Sequence, residues 1–262
     1  MQIRLDKYMA DAGYGTRSAV RDLVRKGHVT VNGVQVRTPD QKIDTASQVL
    51  VDGTQVFYEE ISYYLLYKPA GILSASRDGR EKTVVDLIPE PKRRDLFPVG
   101  RLDRDTVGLL LITNDGKLSN RLLAPGKHVE KTYRAVVAGD LPEGVEDRFL
   151  AGLDIGDEKD TAPARLRILG EMSEEQYLDC MRQHGIEEEN RMASLKEASP
   201  RLSEVELVIT EGRFHQVKRM FEAVGCSVIF LKRISMGKLS IPEDMKPGEI
   251  RKLTEEDIGK MS

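Results

Sequence analysis

The stretch FPVGRLDRDTVGLLLITNDGKLSNRLLAPG, residues 97–126, packs four structural signals into thirty positions. A polar loop over Gly100 to Thr106 precedes an apolar run, Leu109 to Thr113, that reads as a buried strand. An Asn-Asp-Gly turn and a short helix beginning near Lys117 follow. Asp103 and Asp105 thus stand just ahead of a strand, and a rigid strand carrying a polar loop is a common way to position a reactive group. Spacing alone leaves other readings open. The stronger of these is that both aspartates only make local turn hydrogen bonds. An Asp-x-Asp metal site is the other, but no further carboxylate or histidine cluster supports it.

Upstream, YYLLYKP (63–69) reads as a second buried strand closed by a proline, with a glycine-containing turn behind it. Further upstream, Leu5, Tyr8, Met9 and Ala12 follow the i, i+3, i+4, i+7 spacing of a short amphipathic helix that Gly13 terminates. A second helix follows in GTRSAVRDLVRKG. Thr16 or Ser18 caps it, Val20, Leu23 and Val24 face inward, and Gly27 ends it. Its outer face carries Arg17, Arg21 and Arg25 at four-residue intervals with Lys26 beside them, a stripe suited to several phosphates or simply to water. HVTVNGVQV then alternates apolar and polar residues around Asn32-Gly33, the favoured pair for a tight hairpin.

The chain has 262 residues, 40% hydrophobic and 32% charged, which excludes a disordered chain and favours one large domain or a small module joined to a larger one. No apolar run approaches the roughly 20 residues that a bilayer span needs. The start, MQIRLDKYMADAG, is charged where a secretory signal would be apolar, so a cytoplasmic protein is expected. The net charge of −3 averages over alternating blocks. Residues 1–42, 61–139 and 212–238 carry +4, +5 and +5, whereas 140–211 carry −11. Basic blocks gathered on one face would form a footprint for a polyanion; scattered, they are merely solvated. Cys180 and Cys226 show neither Cys-x-x-Cys nor metal-ligand spacing.

The helix, helix, hairpin order over RLDKYMADAGYGTRSAVRDLVRKGHVTVNG resembles the S4-type RNA-binding domain. In that family the second helix and the following turn contact RNA, which implies RNA-binding roles for Arg17, Arg21, Arg25 and Lys26. Residues 43–60 complete the module, with a boundary near 60 and a larger domain over 61–262. GRLDRDTVGLLLITNDG resembles the catalytic signature of the pseudouridine synthases, in the branch that modifies ribosomal RNA. EKTYRAVV (130–137) and EGRFHQVKRMFEAVG (211–225) match the same family in the expected order, so the resemblance spans nearly the whole chain.

That resemblance implies an isomerase that detaches uracil from ribose, turns it and rejoins it through carbon 5, with no cofactor and no metal. It places the essential carboxylate at Asp103. A carboxylate in a desolvated pocket takes up a proton unless a cation lies close, and the family pattern puts Lys218 in the pairing position, where many relatives carry Arg. Tyr133 matches the aromatic that packs on the target uracil. Arg101 matches the side chain that fills the gap left when the base swings out of its stack. His215 and Gln216 have no hydrolase partners and are expected to contact RNA or support the site.

GRFHQVKRMF and EKDTAPA (158–164) resemble the small-subunit group, which implies a single uridine in 16S ribosomal RNA, met in an assembly intermediate of the small subunit. A 23S target is the runner-up, and a non-catalytic assembly factor is the reading from another class. Residues 171–200, with 8 acidic and 3 basic side chains, depart from the family pattern as an insertion, either a local helical excursion or a mobile loop. The fold expected is α+β. It comprises a small helical S4-like module and a larger domain whose central mixed, largely antiparallel sheet is implied by the resemblance. A monomer is the default expectation.

Overall fold

The computed structural model describes residues 1–89, 92–186 and 201–259. At the amino terminus, β1 (Gln2–Arg4) pairs with β4 (Lys42–Asp44), and α1 (Leu5–Asp11) packs on α2 (Arg17–Lys26). Leu5, Tyr8, Met9, Ala12, Val20 and Val24 fill one core, as their spacing predicts, while Leu23 is only partly covered. Thr16 caps α2 by accepting from the Ala19 amide, and Gly27 closes it in the left-handed conformation at φ +82°. Hairpin β2 (Val29–Val31) to β3 (Val34–Val36) turns on Asn32 and Gly33, both at positive φ. Strands β5 (Val49–Val51) and β6 (Thr54–Val56) extend it to four strands, in the order β3-β2-β5-β6.

Among the described residues the largest sheet has nine strands. Its path runs β11 (Arg165–Met172), β12 (Leu202–Ile209), β10 (Lys131–Ala138), β13 (Ser227–Met236), β9 (Val107–Thr113), β7 (Tyr63–Lys68) and β15 (Ile250–Leu253). Short strands β8 (Phe97–Pro98) and β14 (Leu239–Ser240) pair with β9 and β13. The β13–β9 pair is parallel and the others are antiparallel, so the sheet is mixed and largely antiparallel. Alternation sorts the side chains of β10. Tyr133, Ala135 and Val137 join the core under α4 (Val145–Ala151) and α6 (Gln216–Glu222), while Val136 and Ala138 face the other core. That second core takes side chains from α3 (Gly116–Leu123), α5 (Glu174–Gln183) and α7 (Glu255–Gly259). Covered on both faces, β9 is buried along its whole length. The fold class is therefore α+β, with a small amino-terminal module of two helices and short strands beside a large mixed sheet.

Of the segment 171–200, the described part, 171–186, ends β11 and continues into a helix. That helix, α5, is opened by a reciprocal capping box between Ser173 and Gln176, and it buries Tyr177 and Met181 against the sheet. Of the two expectations for this segment, the helical one holds over 174–183, and residues 187–200 lie outside the described residues.

Candidate active site

The loop before β9 owes its shape to the segment after β7. Lys68, wholly buried, donates through Nζ to the carbonyls of Pro69 (3.1 Å), Arg104 (3.1 Å) and Thr106 (2.9 Å). Ser74 grips the other arm, its Oγ donating to Leu102 O at 2.8 Å and accepting from Leu102 N at 3.1 Å. The Gly71 amide adds a bond to Arg104 O. Loop carbonyls thus converge on an ammonium in a dry setting, where an unmet carbonyl is costly. Burial pulls the Lys68 pKa down to about 8, against the attraction of Asp105 and Asp103.

The clamped loop presents Asp103 and Asp105 to the amino-terminal end of α6. Lys218 reaches both carboxylates: its Nζ lies 2.7 and 2.8 Å from the two oxygens of Asp105 and 3.7 Å from Asp103 Oδ2. The family resemblance pairs Lys218 with Asp103; the structure gives it a closer second partner in Asp105. Asp103 also faces His215, whose Nε2 is 3.6 Å from Oδ1. His215 occupies the left-handed region at φ +49°, a costly conformation for a non-glycine residue. Its ring stacks on Phe214 at 3.9 Å between centroids, and Phe214 is 72% exposed.

Gln216 is buried, its amide nitrogen donates to Glu211 and its oxygen accepts from the Arg213 amide, so it braces the turn. Arg213 and Arg219 likewise turn inward. Both pair with Asp157, and Arg213 also binds the carbonyls of Lys159 and Asp160. The third basic block therefore spends two of its arginines holding the 154–160 loop. In the amino-terminal stripe Arg17 and Arg25 are exposed, but Arg21 Nε donates to the buried Asp6 at 2.9 Å, alongside Arg4. These bonds hold the Asp6 carboxyl at about 2.

Asp103, Lys218, His215, Tyr133 and Arg101 line one cavity of about 830 Å³, open on one side. Tyr133 is nearly covered and Arg101 exposed. The cavity also takes in Lys131 and Arg233, two buried cations on the sheet that sequence reading passes over. Their signal is a charge inside an otherwise apolar strand. Lys68, at the end of YYLLYKP, carries the same one.

Comparison with known proteins bears on this geometry. The family described as RNA pseudouridylate synthase matches residues 62–223, and the S4 domain matches 3–50. An uncharacterized RNA pseudouridine synthase of Bacillus subtilis is 39% identical over 98% of this chain and 97% of its own. Ribosomal small subunit pseudouridine synthase A of Vibrio cholerae is 35% identical over 98% of each chain. Ribosomal large subunit pseudouridine synthase B of Bacillus subtilis is 36% identical over 98% of this chain and 95% of its own. A crystal structure of a pseudouridylate synthase superposes with a TM-score of 0.62 at 31% identity, covering 99% of this chain and all of that one. With a carboxylate loop clamped over a mixed sheet and an S4 module ahead of it, this chain belongs to the RNA pseudouridine synthase family of isomerases.

Proposed function

We propose that the protein converts one uridine of 16S ribosomal RNA to pseudouridine, acting on an assembly intermediate of the small subunit in the cytoplasm. The observation that carries the reading is the convergence of three distant segments on one cavity. The 100–106 loop brings Asp103, β10 brings Tyr133 and α6 brings Lys218. In this reading the S4-like module ends near residue 60, and Arg17, Arg25 and Lys26 hold the RNA backbone.

Asp103 acts on the sugar. As the bond between C1′ and N1 of uridine opens, the electron pair leaves with the base and C1′ becomes electron-deficient; the carboxylate meets it there, as nucleophile or as electrostatic partner. Lys218, shared with Asp105, sets a positive charge beside the partly covered carboxylate. Tyr133 offers its ring to the turning base, and Arg101, exposed at the rim, enters the gap in the RNA. The second bond forms between C1′ and C5, and the C5 proton is lost as N1 gains one.

The choice of 16S rests on GRFHQVKRMF and EKDTAPA. The large-subunit relative at 36% identity supports 23S RNA as the second reading. Carbodiimide primer extension separates them, on unmodified small- and large-subunit RNA with and without ribosomal proteins. A stop in the small-subunit RNA with wild-type protein, absent with Asp103→Asn, is the expected result. A stop in the large-subunit RNA overturns the target and keeps the chemistry. With RNA bound but no stop anywhere, the protein is an assembly factor. Asp103→Asn is expected to lower turnover at least a thousandfold while RNA affinity stays within about twofold.

A further inference from the structure

Among the described residues three buried side-chain polar atoms lack a hydrogen-bond partner, and two of them, Arg233 Nη2 and Thr106 Oγ1, belong to residues lining the cleft. Buried polar groups are paired in about nine cases of ten, and an incompletely paired guanidinium away from water is among the costliest exceptions. Arg233 is 3% exposed and spends Nε on the carbonyl of Leu109 at 2.9 Å.

Strand geometry explains how it comes to face the cleft. Arg233 stands opposite Tyr133 in the β10–β13 ladder, and the register shift between Thr132 and Tyr133 re-aims the strand there. Opposite residues share a face of the sheet, so Arg233 and Tyr133 project together, and Lys131, two residues ahead of Tyr133, joins them. Lys131 is 7% exposed and donates to Thr210 O at 3.3 Å. Burial and the nearby Arg233 charge pull its pKa down, against the attraction of Glu211. Glu211 is itself engaged by Gln216 and Arg213. The floor of the cavity thus holds two buried cations, whereas the loop above it carries carboxylates.

Opposed signs suit a reaction that separates charge. When the bond between C1′ and N1 breaks, the positive end forms at the sugar and the negative end on the base, spread over N1 and the two carbonyl oxygens. We propose that Arg233 receives the detached base, its guanidinium donating to a uracil carbonyl oxygen while Tyr133 covers the ring, with Lys131 adding positive potential from beneath. The interaction strengthens only as the base becomes anionic, so it stabilises the transition state more than bound uridine. It also tethers the base while N1 gives place to C5. No co-reactant is needed, since the electron pair taken up by the base is returned when C5 joins C1′ and the C5 proton is exchanged for one at N1. This role rests on the reading of the cleft as the site of pseudouridine formation.

The test uses the full chain in single-turnover reactions, with tritium at C5 of the target uridine in a short RNA. The target position carries uracil, 2-thiouracil or 4-thiouracil, sulfur being the poorer acceptor. Arg233→Gln is expected to slow tritium release from the uracil substrate about a hundredfold with RNA affinity and melting temperature little changed. That loss should shrink about tenfold on the one thio substrate whose sulfur replaces the accepting oxygen. An equal loss on all three substrates would mean that Arg233 acts through the fold, and would overturn the assignment. If Arg233→Gln does not fold, the wild-type protein decides: slower release from one thio substrate than from the other two supports the contact, and equal rates on all three overturn it. No release by wild-type protein from any substrate defeats the enzymatic reading itself.

Discussion

Lys68 shows how much of the candidate site depends on a residue outside the lining of its cavity. Its ammonium satisfies three carbonyls around the Asp103 loop, and Lys68→Met leaves them unmet, at a cost of about 3 kcal/mol if each lost bond contributes ~1. The lowered pKa gives an unusual pH signature. Between about 8 and 10 the folded state has already shed a proton that the unfolded chain, titrating near 10.5, still holds. Stability contributed by this group therefore rises with pH across that window. A neutral amine donates only two hydrogen bonds, so one carbonyl is released and the loop loosens. Turnover is expected to fall above about pH 8 while denaturant midpoints rise, and Lys68→Met should lack the rise. Asp103, Tyr133 and Lys218, which line one cavity, each sit in a motif with a resemblance and could be singled out from it. Lys68 and Arg233 could not, because a buried cation declares its purpose only through the carbonyls and faces that folding brings to it.

Helix α2 divides a stripe that looks uniform in sequence. Four-residue spacing places Arg17, Arg21 and Arg25 on one side, yet Arg21 is drawn to Asp6 on α1 and works as a crossbar between the two helices. Arg17, Arg25 and Lys26 remain exposed. Replacing those three by Gln should lower the slope of log affinity against log salt by about 3. An unchanged slope would leave them a solvated face. Asp6 governs stability instead. Its carboxyl, wholly buried and held near 2 against an ordinary 3.8, contributes about 2 kcal/mol. The sign follows from the lowered pKa: the contribution is present above pH 4 and is lost as pH falls toward 2. Asp6→Asn should flatten that part of an acid denaturation curve. Helix boundaries and both glycine stops were readable from local signals. The α5 insertion was half readable, since its acidity shows and its buried Tyr177 anchor makes sense only against a sheet.

On the scale of the whole molecule, the module and the large domain meet at a nearly buried arginine. Arg93 pairs with Asp95 at 2.8 Å and reaches Asp11 of the module at 3.6 Å, while Nη1 binds the carbonyl of Glu59. Gly13 allows the close approach beside it, because a Cβ there would lie 2.5 Å from the backbone of Lys92. Arg93→Met is expected to release the module. Scattering should show a larger radius of gyration, and kcat/KM should drop about tenfold on long structured RNA but little on a short target oligonucleotide. Equal loss on both substrates would place the effect in the catalytic domain. The helix, helix, hairpin order was legible from residue spacing; its docking was not, since Arg93 lies in a segment without periodicity.

The parallel pairing of β13 with β9 joins residues that lie far apart in the chain, Arg233 and Gly108. Gly108 has no side chain because a Cβ there would stand 2.2 Å from the Arg233 carbonyl oxygen. During synthesis the carboxylate loop leaves the ribosome early, and its opposite wall follows roughly 130 residues later, at about 5–20 residues per second. For some 6–25 seconds the growing chain has a complete S4 module and an unfinished cleft. The amino-terminal module is thus ready to fold before the cleft has its second wall.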